Sequence, residues 1–372
     1  MKLPLALATA LLALSPAAHA QTFKSSAGDL KVETVVGGLS HPWALAFLPD
    51  GNMLVTERPG RMRIVTPDGK LFPPLQGMPK VSASGQGGLL DVVLDRNFAQ
   101  NKTIYFCFAE PANGGARTSM ARATLGDGKL DAVKVIYRQN GPLSSGSHFG
   151  CRIAQTADNN LFLTQGEHFT DRDEAQKLTS HLGKIVRIKP DGSVPNDNPF
   201  VGRNDALPEI WSYGHRNMQG AAIHPVTGKL WEHEHGAKGG DEINIPLAGK
   251  NYGWPVISFG VNYDGSPVGS GKSEMPGMEQ PIKYWVPSIA PSGMAFYTGD
   301  LFPAWKGSLF VGALAGQMLV RLSLDGDKVT GEERLLQGLR ERIRDVRVGP
   351  DGAIYLATDN SAGRILKVTP AK

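Results

Sequence analysis

Residues 43–66, WALAFLPDGNMLVTERPGRMRIVT, run an apolar strand into a Pro-Asp-Gly turn, then a second apolar strand, a polar turn and a third strand. Apolar and polar residues alternate on either side of each turn, the pattern of half-buried strands joined as hairpins. The same grammar returns at 344–369, RDVRVGPDGAIYLATDNSAGRILKVT, and more loosely at 89–108, 150–190, 219–245 and 292–323, six copies in all. Repetition decides the architecture, because one small sheet cannot cover both of its faces whereas several packed radially cover one another. The expectation is an all-β chain folded as a six-bladed β-propeller, with a pair of β-sandwiches as the alternative. The spacing between copies is irregular, and the surplus falls in polar, Gly/Pro-rich stretches at 171–182, 191–208 and 260–284. Such insertions are expected together on one face, where they build the site.

The first residues, MKLPLALATALLALSPAAHA, combine one Lys, an apolar run from Leu3 to Leu14 and the small-x-small pattern Ala18-His19-Ala20. They read as a secretory signal peptide over 1–20, which leaves one propeller domain over 21–372, periplasmic or secreted. The run is too short to cross a bilayer, and no later stretch approaches the roughly 20 apolar residues that a transmembrane helix needs. Net charge is +4 with the basic residues scattered, and no basic cluster interleaves with aromatics, which argues against a nucleic-acid partner. Cys107 and Cys151 fall on consecutive units, in a compartment that permits disulfides. A bridge and two separate buried thiols both remain open.

Polar side chains unsuited to a strand start recur at the edges of the units: Gln86 in GQGGLLD, His148 in GSHFGCR, Arg216 and Asn217 in GHRNMQG, Ser288 in VPSIAPSG, and Arg342 with Arg344 in RERIRD. In a propeller the innermost strand of each blade starts beside the central channel, so these residues are expected to converge. Three guanidiniums around one pocket call for anions, and their forked donors match carboxylates bidentately. The expected ligand is small and multiply acidic. His148 is the candidate base, with Glu167 in TQGEH and Asp241 in GGDEIN as carboxylates to orient its imidazole. The bland alternative for each is a hydrogen-bonded loop or surface-turn residue.

The stretch EHEHGAKGGDEIN raises the question of a metal. His233 and His235 share a strand face at a spacing atypical of catalytic zinc, whereas glycine-rich carbonyls followed by Asp-Glu suit calcium, a hard cation that takes oxygen ligands. Tyr252 and Trp254 in KNYGWP read as packing aromatics, with a carbonyl-ligand or cofactor-stacking role as the other reading.

Taken in order, HPWALAFLPDG, GQGGLLD, GSHFGCR, LGKIVRI, EIWSYGHRNMQG, GGDEINIP, NYGWP, PSIAPSGMAFY and ERIRDVRVGPDG resemble the soluble quinoprotein glucose/sorbosone dehydrogenases, and most of all the periplasmic aldose sugar dehydrogenases. The likeness runs from about residue 33 to 370. It implies a six-bladed propeller with pyrroloquinoline quinone in a cleft on its top face. By position it implies His148 as the base that takes the proton of the anomeric hydroxyl, while hydride passes from C1 to the quinone. Arg216 would lie beside the reactive quinone carbonyl, and Gln86, Asn217, Arg342, Arg344 and, more loosely, Ser288 and Tyr263 would contact the cofactor. The carbonyls of Gly236 and Ala237 match those that hold calcium; Glu242 and the carbonyl of Tyr252 match a second calcium. Three positions depart from the family's glucose enzyme: Ala237 replaces a Pro, a change a carbonyl ligand tolerates, Glu167 replaces an Asp, and Ala315 in GALAGQ replaces a cofactor-binding Lys.

The resemblance further implies an aldose substrate oxidised to its lactone, an open cleft of broad preference, and an electron acceptor, quinone or cytochrome, with monomer and homodimer both open. Against it stand a calcium-dependent propeller lactonase, which would need several carboxylates converging on the metal, and a non-catalytic sugar-binding propeller.

Overall fold

The computed structural model describes residues 20–143 and 145–371; of the expected signal peptide, all but Ala20 lies outside the described residues. Six antiparallel sheets account for nearly all of the regular structure. Their innermost strands are Pro42–Phe47, Leu89–Leu94, Ile153–Gln155, Met218–Ile223, Pro291–Phe296 and Ile343–Val348, and each falls on one of the six repeats. Each innermost strand packs on the next around a closed ring, the sixth returning to the first. The all-β six-bladed propeller is therefore the architecture.

The second strands show why these sequences need neighbours. Met53–Glu57, Leu161–Gln165, Leu230–Glu234, Leu309–Ala313 and Ile354–Thr358 are buried at every position, because an adjoining blade covers each face of the sheet. Closure comes from the other end of the chain. Leu30–Leu39 pairs antiparallel with Gly363–Pro370 as the fourth strand of the sixth blade, in register from Leu30 opposite Pro370 to Leu39 opposite Gly363, and Gln21–Phe23 pairs outside it. Cys107, in the second strand of blade two, is disulfide-bonded to Cys151, just ahead of blade three, with the Cα atoms 5.8 Å apart. Among the described residues no helix is long and apolar enough to cross a membrane.

Strand alternation places the insertions. Residues 166–183 join the second and third strands of blade three at the end of the propeller where the innermost strands begin. Residues 191–208 join its third and fourth strands at the opposite end. The sequence expectation that all insertions share one face thus fails for 191–208, where Phe200, Ala206 and Ile210 form their own small core.

Candidate functional site

A cavity of about 200 Å³ opens where the innermost strands begin; Gln86, Asn217, Arg342 and Arg344 line it, together with Trp43, Arg58, Gln219, His235 and Asp359. Its floor is a buried ion network. Arg152 reaches Asp345 at 2.9 Å and Asp91 at 3.2 Å, Arg347 bonds Asp91 at 3.0 Å, and the Arg152 guanidinium lies 4.0 Å from the Trp43 ring centre. Asp91 also accepts the Ile153 N–H, Asp345 the Leu45 N–H, and the Gln219 carbonyl accepts from Arg152 Nε. These bonds knit the innermost strands of five blades beneath the cavity.

The walls are cationic. Arg344 donates to Gln219 Oε1 at 3.0 Å and to Asp359 at 3.0 Å, and Arg342 reaches the same Asp359 oxygen at 3.4 Å. Burial pulls the Arg344 guanidinium below its ordinary value against the opposing pull of Asp359. Burial alone would raise the Asp359 carboxyl, yet Arg344, His41 and Arg342 hold it well below the usual carboxylate range. One carboxylate thus serves several cations, and a buried Nε on Arg344 and another on Arg216 have no partner. Arg216 lies against the face of Trp254, 5.1 Å from the ring centre, and donates to the His235 carbonyl at 3.2 Å and toward Tyr263 Oη at 3.4 Å. Buried guanidinium donors without acceptors favour an anion supplied from outside.

His148 stands at the rim. Its N–H donates to Gln86 Oε1 at 2.9 Å, and its Nδ1 lies 2.7 Å from Glu167 Oε2. A carboxylate only accepts, so Nδ1 carries the hydrogen and Nε2 keeps its lone pair. Burial pulls the imidazole below its ordinary value of 6.5, with Glu167 pulling the other way. The ring is therefore neutral over a wider pH range than a free imidazole. Burial raises the Glu167 carboxyl most, but the hydrogen bond and charge of His148, the charge of Arg216 and the Phe169 N–H together outweigh it, and the group stays ionised. The backbone bends tightly here, with φ of 51° at His148 and 62° at Gly150. A Cβ on Gly166 would come within 1.9 Å of the His148 carbonyl oxygen, so only glycine lets the two loops approach.

Asp241, expected beside the imidazole, does not reach it. Its oxygens accept the N–H groups of Gly236, Ile289 and Ala290 and the Ser288 hydroxyl, at 2.8–3.0 Å. Asp241 therefore braces the loop of blade four against the turn before blade five. Ser288, expected on the cofactor, turns its hydroxyl to Asp241 instead, and its neighbour Ala290 lines the cavity. Ala315 is exposed beside Leu314, which does line it.

A second, far smaller cavity lies behind the His235 wall, with Arg216, Glu234, Gly236, Glu242 and Tyr252 among its lining. Three of the four residues expected on metal thus meet; the Ala237 residue is buried nearby but does not line it. The adjoining Glu232 and Glu234 come together with His215 closely enough to share one ion, and neither Glu232 oxygen has a partner. Burial pushes the Glu232 and Glu242 carboxyls far up. His233 and His235 follow the alternation of their strand away from Glu232 and Glu234; His235 lines both cavities and His233 neither, which disposes of a zinc pair.

The site also contains residues that sequence reasoning passed over. Asp359, Trp43, Gln219 and Arg152 sit inside strands or turns whose apolar pattern already had a structural explanation, and Arg58 lies in a turn. Glu234 carried a signal, as the polar last residue of a strand buried throughout.

Fold and pocket together define a propeller whose hub sets unpartnered guanidinium donors beside a histidine–carboxylate pair. The glucose/sorbosone dehydrogenase family matches over residues 39–367, and the chain belongs to it. It is similar to the aldose sugar dehydrogenase YliI of Escherichia coli K12, with 47% identity over 346 residues that cover 92% of this chain and 93% of that protein. A solved glucose dehydrogenase superposes with a TM-score of 0.89 at 50% identity, covering 92% of this chain and 99% of that one. The PQQ-bound form of the aldose sugar dehydrogenase from Streptomyces coelicolor superposes with a TM-score of 0.76 at 30% identity, covering 95% and 99%.

Proposed function

We propose that this chain is a quinoprotein aldose dehydrogenase, oxidising the anomeric carbon of aldoses to lactones in the periplasm as one propeller domain after removal of residues 1–20. The observation that carries the reading is the His148–Glu167 pair at the rim of a cavity with an excess of guanidiniums. The residues suit pyrroloquinoline quinone: Arg216, Asn217, Arg342 and Arg344 would hold its carboxylates and carbonyls, and the unpartnered Nε atoms of Arg216 and Arg344 supply donors for it. When bound, the cofactor supplies a two-electron acceptor for the C1 hydrogen and its bonding pair. His148 Nε2 takes the proton of the anomeric hydroxyl, and Glu167 steadies the imidazolium that results. Arg216, bonded to the carbonyl of His235 on the shared wall, presents fixed positive charge, the arrangement that favours developing negative charge.

Calcium fits the smaller cavity. Glu242, Glu234 and the carbonyls of Gly236 and Tyr252 would hold it, and the observation that calls for a cation is the gathering of buried Glu234 and Glu242 next to Glu232, whose oxygens have no hydrogen-bond partner. Such an ion would neutralise buried carboxylates beside Arg216 and fix the loop that carries His235.

The test is reconstitution of apoprotein with pyrroloquinoline quinone and calcium, followed by absorbance and by dye reduction with aldoses. His148→Ala is expected to retain cofactor uptake and lose about 10²–10⁴-fold in turnover, the usual weight of a positioned base. Near-normal turnover of the loaded variant removes the base assignment, and lactone cleavage without dye reduction replaces the reading with a hydrolase.

A further inference from the structure

Phe169 is 45% exposed two residues after Glu167, an odd place for a phenylalanine, since an exposed ring gains nothing from the core. Its conformation is also unfavourable, because His168 and Phe169 have φ of 60° and 65° in succession. Two adjacent non-glycine residues in the left-handed region cost about 1 kcal/mol each and persist only where the surroundings over-determine them. Here they do. The buried His168 ring faces Gln139 Oε1 at 2.8 Å and the Ser145 carbonyl at 3.2 Å, and packs edge-on against Phe149. The Phe169 N–H donates at 2.8 Å to Glu167 Oε2, the same oxygen that holds His148.

The result is a ring fixed against the base. Phe169 meets the His148 imidazole edge to face, centroids 5.2 Å apart at 87°. On its other side it meets Tyr263, centroids 6.3 Å apart, whose own ring is 61% exposed and whose hydroxyl faces Arg216. Two open aromatic rings thus run as one strip from the base to the arginine, and the strip leaves the apolar core rather than joining it.

We propose that Phe169, continued by Tyr263, is the platform on which the sugar ring of the substrate stacks, setting the anomeric hydroxyl at His148 Nε2. This rests on the aldose dehydrogenase reading and names what recognises the sugar. A pyranose offers a face of C–H bonds of weak positive polarity, which matches the negative face of an aromatic ring. A flat platform touches C–H groups and not individual hydroxyls, so it accepts epimers alike. That makes Phe169 a determinant of affinity for aldoses as a class.

The test uses enzyme fully loaded with pyrroloquinoline quinone and calcium, assayed with D-glucose, D-galactose and D-xylose. Phe169→Ala is expected to raise KM about tenfold for all three in parallel, the effect of one lost aromatic contact, with kcat and cofactor titration near wild type. Phe169→Trp restores low KM, and Tyr263→Ala, at a still more exposed position, raises KM less. Unchanged KM in Phe169→Ala overturns the proposal. A lowered kcat with a moved pH limb, or weakened cofactor uptake, also overturns it, because Phe169 would then serve the base or the cofactor. Wild-type enzyme that takes up cofactor but reduces no dye with any aldose refutes the underlying reading instead.

Discussion

The hub cavity and the small pocket behind it share the His235 wall yet are furnished with opposite charges. In the hub, Arg342 and Arg344 share one carboxylate, Asp359, with Arg58 on the same lining, while Arg216 stands at the small pocket beside the shared His235 wall. Behind it, Glu232, Glu234 and Glu242 cluster on paired strands of blade four with His215 as the nearest base. Burying like charges together is unfavourable in either place, because the desolvation of each ion is unrelieved. Each pocket leaves polar atoms without partners, donors in the first and acceptors in the second. On the proposed function, each pocket would be completed by a ligand of the opposite sign, the polyanionic cofactor in the first and a cation in the second.

Removal of the guanidinium bonded to the shared His235 wall is the most direct way to break that contrast. Arg216→Ala is expected to lower kcat/KM by about 10²–10³-fold in loaded enzyme, the range for deleting one preorganised charge-stabilising donor. Cofactor titration of the apoprotein should weaken in parallel, since the same guanidinium is an anion donor. Steady-state kinetics and an absorbance titration read both quantities. Wild-type values for both would mean that Arg216 does not act through its positive charge.

The contrast also explains what the sequence disclosed. The six hairpin repeats each became an innermost strand and its partners, because turn chemistry and alternation are local. The sixth blade's fourth strand, Leu30–Leu39, was not legible, since its partner Gly363–Pro370 lies at the other end of the chain. Arg216, Asn217, Arg342, Arg344, Gln86 and His148 stood out as polar residues at strand starts, where no core role explains them. Asp359 and Gln219 did not, because a polar residue in a turn or on a strand edge has an ordinary explanation until a partner is seen. The acidic pocket was half legible. Alternation separates Glu232 and Glu234 from His233 and His235, but only the register with the neighbouring strand, which sets Glu234 opposite Glu242, shows that the carboxylates meet. Asp241 misled for a related reason, because its spacing from the glycine loop is the same whether it orients a catalytic ring or braces a turn.

The acidic pocket is tested by stability. An ion that binds only the folded state adds about 2.7 kcal/mol when present at a hundred times its Kd. Apoprotein stripped with a chelator is therefore expected to gain that amount on adding calcium, seen as a raised midpoint of denaturant unfolding. Glu242→Gln should lose most of the gain, while Asp359→Asn in the hub should keep it. An equal response in wild type and Glu242→Gln would mean that the ion binds elsewhere.

The smallest expected change sharpens the boundary between the pockets at the base itself. Both hydrogen bonds of Glu167, from His148 Nδ1 and from the Phe169 N–H, fall on one carboxylate oxygen. The single carbonyl oxygen of a glutamine can therefore keep both, and Glu167→Gln removes the charge with little change of shape. Burial lowers the His148 pKa and Glu167 opposes that shift, so wild-type kcat/KM should lose activity only as pH falls through a value below 6.5. Without the carboxylate the imidazolium is less favoured, and the acid limb should move to still lower pH. The plateau should fall about tenfold, because the proton accepted from the sugar then lacks its counter-charge. A limb that moves upward would mean that Glu167 destabilises the protonated ring, contrary to an ionised carboxylate 2.7 Å from Nδ1.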